Sequence, residues 1–130
     1  MKVLLVEDSK EIQSQLRSIL EAIPATELVG VIATQQQASD WLERHPGDWD
    51  LAVVDLFLSG GHGFDVLRSC RGRMPHQKAG VLSNYSRDPV PDYARQAGAD
   101  AFFDKSYDMD KFVQFCISQS ASCPDPSTTS

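Results

Sequence analysis

Leu51-Ala52-Val53-Val54-Asp55-Leu56 constrains this chain more than any other stretch. Four apolar residues run straight into a single carboxylate. Asp48-Trp49-Asp50 precedes the run and Ser59-Gly60-Gly61 follows it, so turn-forming residues bound it on both sides. A wholly apolar strand has no solvent face, so it belongs in the middle of a parallel sheet covered on both sides. Asp55 then emerges at the carboxyl end of that strand, the edge at which open α/β sheets bind ligands.

The rest of the chain supplies the sheet. Val3 to Val6 is a second apolar run, ending in Glu7-Asp8. Ser9 is placed to cap a helix with Ile12, Leu16, Ile19, Leu20 and Ile23 on one face, stopped by Pro24. Leu28 to Ala33 reads as a strand. Thr34 caps a helix carrying Ala38, Trp41 and Leu42 inward, ended near His45-Pro46-Gly47. Ser59-Gly60-Gly61-His62-Gly63 reads as a mobile turn, because no G-x-x-x-x-G-K-[ST] pattern follows to make it a phosphate cradle. A helix with Phe64, Leu67 and Cys70 comes next, then a strand over Ala79 to Leu82 ending at Ser83-Asn84. Asp88-Pro89 reads as an N-cap followed by proline at the first helical position, with Gly98 ending that helix. Ala101-Phe102-Phe103 is a strand leading to Asp104-Lys105. A final helix places Met109, Phe112, Val113, Cys116 and Ile117 on one face.

Strand and helix thus alternate five times. The pattern predicts an α/β fold, a five-stranded, doubly wound parallel sheet with strand order 2-1-3-4-5. The 130 residues suit one domain, read here as residues 1–118, with 119–130 as a polar, disordered tail containing Pro124 and Pro126. A chain of this length buries enough apolar surface to need no staple. The net charge of −6 argues against direct binding to nucleic acid or an anionic membrane. The apolar N-terminal run is cut by Glu7 and Asp8, too early for a signal peptide, and no stretch is long enough to span a membrane. Cys70, Cys116 and Cys123 form no C-x-x-C pair and read as free thiols of a cytoplasmic protein.

Placed on this scaffold, Glu7, Asp8, Asp55, Ser83 and Lys105 all fall at carboxyl ends of strands. Strands 1 and 3 are neighbours in the predicted order, so their crevice is the topological switch point. Three carboxylates at one edge either raise a pKa or recruit a cation. Oxygen-only ligands and an open site suit Mg²⁺. A carboxylate is also a competent nucleophile toward phosphorus, and the Lys105 ammonium and Ser83 hydroxyl can meet a phosphoryl group. Taken singly, each residue has a plainer role: Asp55 in a turn, Glu7 and Asp8 at a helix start, Lys105 in solvent, Ser83 at a strand end. His45, His62 and His76 lack ligand spacing.

Val-Glu-Asp at 6–8, Val-Val-Asp-Leu at 53–56, Leu-Ser-Asn at 82–84 and Phe-Phe-Asp-Lys-Ser at 102–106 stand in this order at these intervals. Together they resemble a response-regulator receiver domain of flavodoxin-like fold, over residues 2 to about 118. The resemblance implies that Asp55 accepts a phosphoryl group from a histidine kinase or histidine phosphotransfer protein. It implies that Glu7, Asp8, Asp55 and the Phe57 carbonyl hold Mg²⁺, with Asp8 the more direct ligand of the acidic pair. It makes Ser83 the switch hydroxyl, Lys105 the phosphoryl-contacting lysine, and Phe102 the aromatic that turns inward with the switch.

The chain also departs from that pattern. Ser106 stands where proline commonly follows the lysine, often behind a cis bond. A cis bond without proline costs about 2.5–4 kcal/mol. Asn84 replaces a smaller residue. Ser59 replaces a proline, with no consequence for chemistry visible in the sequence. Phe57 and Tyr85 flank the route of a hydrolytic water, where their bulk slows phosphoryl loss. The reading is a stand-alone receiver, monomeric or weakly dimeric. Its output is contact with a downstream protein near Tyr93, Phe102 and Phe115. It is not an enzyme apart from its own phosphorylation and dephosphorylation. The alternatives are a phosphate-independent pseudo-receiver and a phosphatase of the haloacid-dehalogenase kind. The latter needs a second acid where Phe57 stands.

Overall fold

The computed structural model describes residues 1–122. Seven strands and five helices follow in the order β1 (Lys2–Val6), α1 (Lys10–Glu21), β2 (Glu27–Ile32), α2 (Gln35–Arg44), β3 (Leu51–Val54), β4 (Phe57–Leu58), β5 (Gly61–His62), α3 (Gly63–Ser69), β6 (Lys78–Ser83), α4 (Val90–Ala97), β7 (Ala101–Asp104) and α5 (Met109–Ser122). Five strands form a parallel sheet in the order β2-β1-β3-β6-β7. Counting these five alone, this is the order the sequence predicts.

Alternation along each strand divides the core in two. Leu4, Val6, Ala52, Val54, Ala79 and Val81 face a layer with Ala38 and Leu42 of α2, Val66 and Leu67 of α3, and Ala94 and Ala97 of α4. Val3, Leu5, Leu51, Val53, Leu82 and Phe103 face Leu16 and Leu20 of α1 and Phe112 and Cys116 of α5. A period of two residues on a doubly covered sheet makes both sets apolar, which is why β3 has no polar position. All four of its residues are buried.

Helix starts follow local chemistry. Ser9 Oγ accepts the Ile12 amide at 3.3 Å, and Thr34 Oγ1 accepts the Gln37 amide at 3.2 Å, so both predicted N-caps are in place. Four expectations need correction. The N-cap of α4 is Pro89 rather than Asp88, without a side-chain cap, and its early proline is Pro91. Ile117 is 44% exposed, because α5 packs through Phe112 and Cys116. Helix α5 continues to Ser122, past the expected domain edge at 118, since the polar serines there still accept helical geometry. The expected tail beyond it, with Cys123, lies outside the described residues.

The fourth correction bears on the site. The Gly60–Gly63 segment is tied down rather than a free turn. Strands β4 and β5 pair antiparallel, and Gly60 bridges to Thr34. Gln35 donates its amide to Gly60 O at 3.0 Å, and its Oε1 accepts the His62 amide at 2.9 Å. The N-terminus of α2 thereby pins the loop that follows Asp55.

Candidate functional site

Parallel register brings the polar residues together. Val6 pairs with Val54, and Val54 with Val81, so β1, β3 and β6 run out at one edge. The ladder continues one residue further, with the Asp55 amide donating to Val6 O at 2.9 Å and the Glu7 amide to Ile32 O at 2.9 Å. Ser83 pairs with Asp104 at the end of β6 and β7, and the Lys105 amide donates to Ser83 O at 2.9 Å.

At that edge Glu7, Asp8 and Asp55 present carboxylate oxygens within 4.8 Å of one another. The Lys105 ammonium reaches across to them. Its Nζ lies 2.6 Å from Glu7 Oε1 and 3.3 Å from Asp55 Oδ2. Glu7 and Asp55 are buried, Asp8 and Lys105 half-buried. Ser83 is fully buried and its Oγ accepts the Tyr85 amide at 3.0 Å. Five of the predicted site residues thus gather on one rim.

Burial sets the electrostatics. Loss of hydration pushes both Glu7 and Asp55 above the ordinary carboxylate range, and the Lys105 ammonium offsets only part of that. Asp8 moves the other way. Hydrogen bonds from Ser59 hold it below its usual value. One of them is the Ser59 amide, which donates to Asp8 Oδ2 at 2.9 Å. This corrects the expectation that serine in place of proline is without chemical effect, since proline has no N–H to give.

Three acids against one ammonium leave a formal charge of −2 when all are ionised. The donors are all oxygen, and one of the acids, Asp8, is half-buried. That set fits a hard divalent cation such as Mg²⁺. Phe57 is placed by its amide, which donates to Asp55 Oδ1 at 3.4 Å. Its ring lies against Tyr85, centroids 4.6 Å apart, with the rings 43% and 60% exposed. Phe102 is half-buried on the face covered by α4. The Lys105–Ser106 bond is trans, for Asp88–Pro89 is the one cis bond among the described residues.

Other residues that shape the site were passed over in the sequence. A Cβ on Gly63 would sit 2.2 Å from Asp55 O, so only glycine lets α3 start so close to β3. The signal was a glycine eight residues after the carboxylate, indistinguishable in sequence from its neighbours in a glycine-rich loop. Asp104 and Ser86 are a second pair, joined at 2.6 Å beside Lys105.

The model of the response regulator receiver domain matches residues 3–116. The DNA-binding transcriptional activator DevR/DosR of Mycobacterium tuberculosis is 31% identical over 103 residues, 78% of this chain and 46% of that protein. The chain spans less than half the length of the curated relatives it matches. Among solved structures, a LuxR-family two-component response regulator from Aurantimonas superposes with a TM-score of 0.80 at 23% identity, covering 93% of this chain and 85% of that one. The CheX–CheY–BeF₃–Mg²⁺ complex from Borrelia burgdorferi gives a TM-score of 0.80 at 19% identity, covering 95% and 90%. At those identities the structural likeness speaks for the fold.

Proposed function

The chain belongs to the response regulator receiver family of two-component signalling, and from that membership we propose that Asp55 is its phosphoacceptor. The observation that carries this reading is the Lys105 ammonium bridging Glu7 and Asp55 at 2.6 and 3.3 Å inside a cluster of three carboxylates. A lysine held there already lies within reach of an incoming phosphoryl group.

In this reading an Asp55 oxygen attacks the phosphorus of a phosphohistidine on a kinase or phosphotransfer protein. The O–P bond forms as the N–P bond breaks, and the released imidazole nitrogen takes a proton from solvent. The product is an acyl phosphate. Lys105 exchanges its contact with Asp55 for one with a phosphoryl oxygen. Ser83 turns its hydroxyl to donate to another. Glu7, Asp8, Asp55 and the Phe57 carbonyl would hold Mg²⁺, which when bound neutralises charge on the phosphoryl oxygens. Water later attacks phosphorus, inorganic phosphate leaves and the Asp55 carboxylate returns. The Phe57–Tyr85 pair narrows the route that water takes.

The output in this reading is a protein contact on α4, β7 and α5. Helix α4 buries only Ala94 and Ala97 and lacks a side-chain cap, so it is the element most easily shifted. Titration with Mg²⁺ and beryllofluoride, followed by amide NMR, tests the acceptor. Saturable shifts at Asp55, Ser83 and Lys105 that vanish in Asp55→Asn are expected. A spectrum that does not respond would instead favour a phosphate-independent interaction module.

A further inference from the structure

Asp104 is the last residue of β7, next to Lys105, and ties together two loops that the phosphoacceptor reading uses separately. Its Oδ1 accepts the Ser106 amide at 2.7 Å and the Tyr107 amide at 3.0 Å. Its Oδ2 accepts the Ser86 hydroxyl at 2.6 Å. Its own amide donates to Asp108 Oδ2 at 2.9 Å, and its carbonyl accepts the Asp108 amide at 2.9 Å. The side chain is buried at 5% exposure, and these donors hold it below the ordinary carboxylate range.

The placement explains how this chain manages without proline after the lysine. A side-chain oxygen that takes two successive backbone amides holds a turn in place by local hydrogen bonds. Lys105 leaves that turn with its ammonium aimed at Glu7 and Asp55. The second oxygen of the same carboxylate holds Ser86, three residues beyond Ser83. Ser83 is itself the register partner of Asp104.

We propose that Asp104 is a positioning residue with two separable jobs, and that its bond to Ser86 is a latch on the segment Asn84–Asp88. One oxygen orients Lys105. The other holds the segment after Ser83 where it stands now, with Ser83 Oγ occupied by the Tyr85 amide. Turning that hydroxyl toward Asp55 takes the acceptor away from the Tyr85 amide, so the segment that carries this amide must resettle, and the latch opposes that movement. This inference rests on the phosphoacceptor reading for its regulatory meaning, though the tie itself does not.

The two jobs call for different variants. Ser86→Ala removes the latch and leaves the turn. Asp104→Asn keeps an oxygen for the two amides and puts a neutral amide group, able to donate to Ser86 Oγ, where the charged acceptor stood, so it weakens the latch without removing it. Asp104→Ala removes both. Ser86→Ala should bind beryllofluoride with Mg²⁺ more than about tenfold tighter, the size expected when one hydrogen bond to a charged group biases a two-state equilibrium, and Asp104→Asn should bind it tighter by a smaller factor. Their double variant should be no tighter than Ser86→Ala alone. Asp104→Ala should instead slow phosphorylation by acetyl phosphate, because Lys105 loses its turn. Amide hydrogen exchange without ligand supplies a separate reading. It should quicken at 84–88 in Ser86→Ala, and also at 106 and 107 in Asp104→Ala. Unchanged exchange at 84–88, or unchanged or weaker beryllofluoride affinity in folded Ser86→Ala, would overturn the latch. A wild-type protein that ignores beryllofluoride while the exchange result holds would overturn the phosphoacceptor reading and leave the tie standing.

Discussion

Glu7 and Asp55 share one ammonium, and both are buried enough that ionisation is disfavoured. Removing that ammonium leaves the two acids facing each other. Lys105→Met should therefore cost about 3 kcal/mol at pH 7.5, the range for stranding a buried charge. The cost should shrink as pH falls toward 5, because both acids can then take up protons. Urea denaturation at the two pH values checks this; an equal cost at both would show that Lys105 is not their counter-charge. Asp8 is a different case. Hydrogen bonds from Ser59 hold its pKa below the usual value, and Ser59→Pro should raise it. A carbon-13 NMR titration of the Asp8 side-chain carboxyl would show the shift.

Among the elements, β3 and α3 meet at Gly63. The Cβ of Gly63→Ala would collide with backbone, 2.2 Å from Asp55 O and 2.6 Å from Leu56 Cα. Backbone cannot give way cheaply, so the loop after Asp55 must shift. We expect a loss of about 1–3 kcal/mol together with weaker binding of Mg²⁺, read by thermal unfolding with and without the ion. Full stability would mean that the close approach is not needed. The neighbouring strand β4 carries Phe57 against Tyr85. Phe57→Asn opens that pair, and phosphoryl loss from Asp55 should quicken several-fold in a dephosphorylation time course. An unchanged or slower rate would contradict the shielding role.

The whole molecule concentrates negative charge where its sheet ends. Each raised carboxylate holds its proton in the folded state at a pH where the unfolded chain has lost it. Stability therefore falls as pH rises above the ordinary values of 4.5 for Glu7 and 3.8 for Asp55. A divalent cation should restore what is lost. At pH 7.5, saturating Mg²⁺ should raise Tm by several degrees, and by much less in Asp55→Asn. The strand order and the rim were legible in sequence for one reason. Apolar runs such as 3–6 and 51–54 report burial directly, and a parallel sheet sends their last residues to one edge. The rest was not legible because it depends on distance across the chain. Nothing local marks Ser59 as a donor to Asp8, or Ser86 as the partner of Asp104. Helix α5 ran past the expected boundary because serine-rich segments are ambiguous until packing decides.

A divalent ion should let Asp55, and no other described residue, take up a phosphoryl group. Mass spectrometry of the protein after incubation with acetyl phosphate and Mg²⁺ tests it most directly. One added phosphoryl group is expected on the peptide containing Asp55, labile to base and cleaved by hydroxylamine as an acyl phosphate should be. It should be absent without the ion and in Asp55→Asn. A phosphoryl group on another peptide, or the same yield in Asp55→Asn, would contradict it.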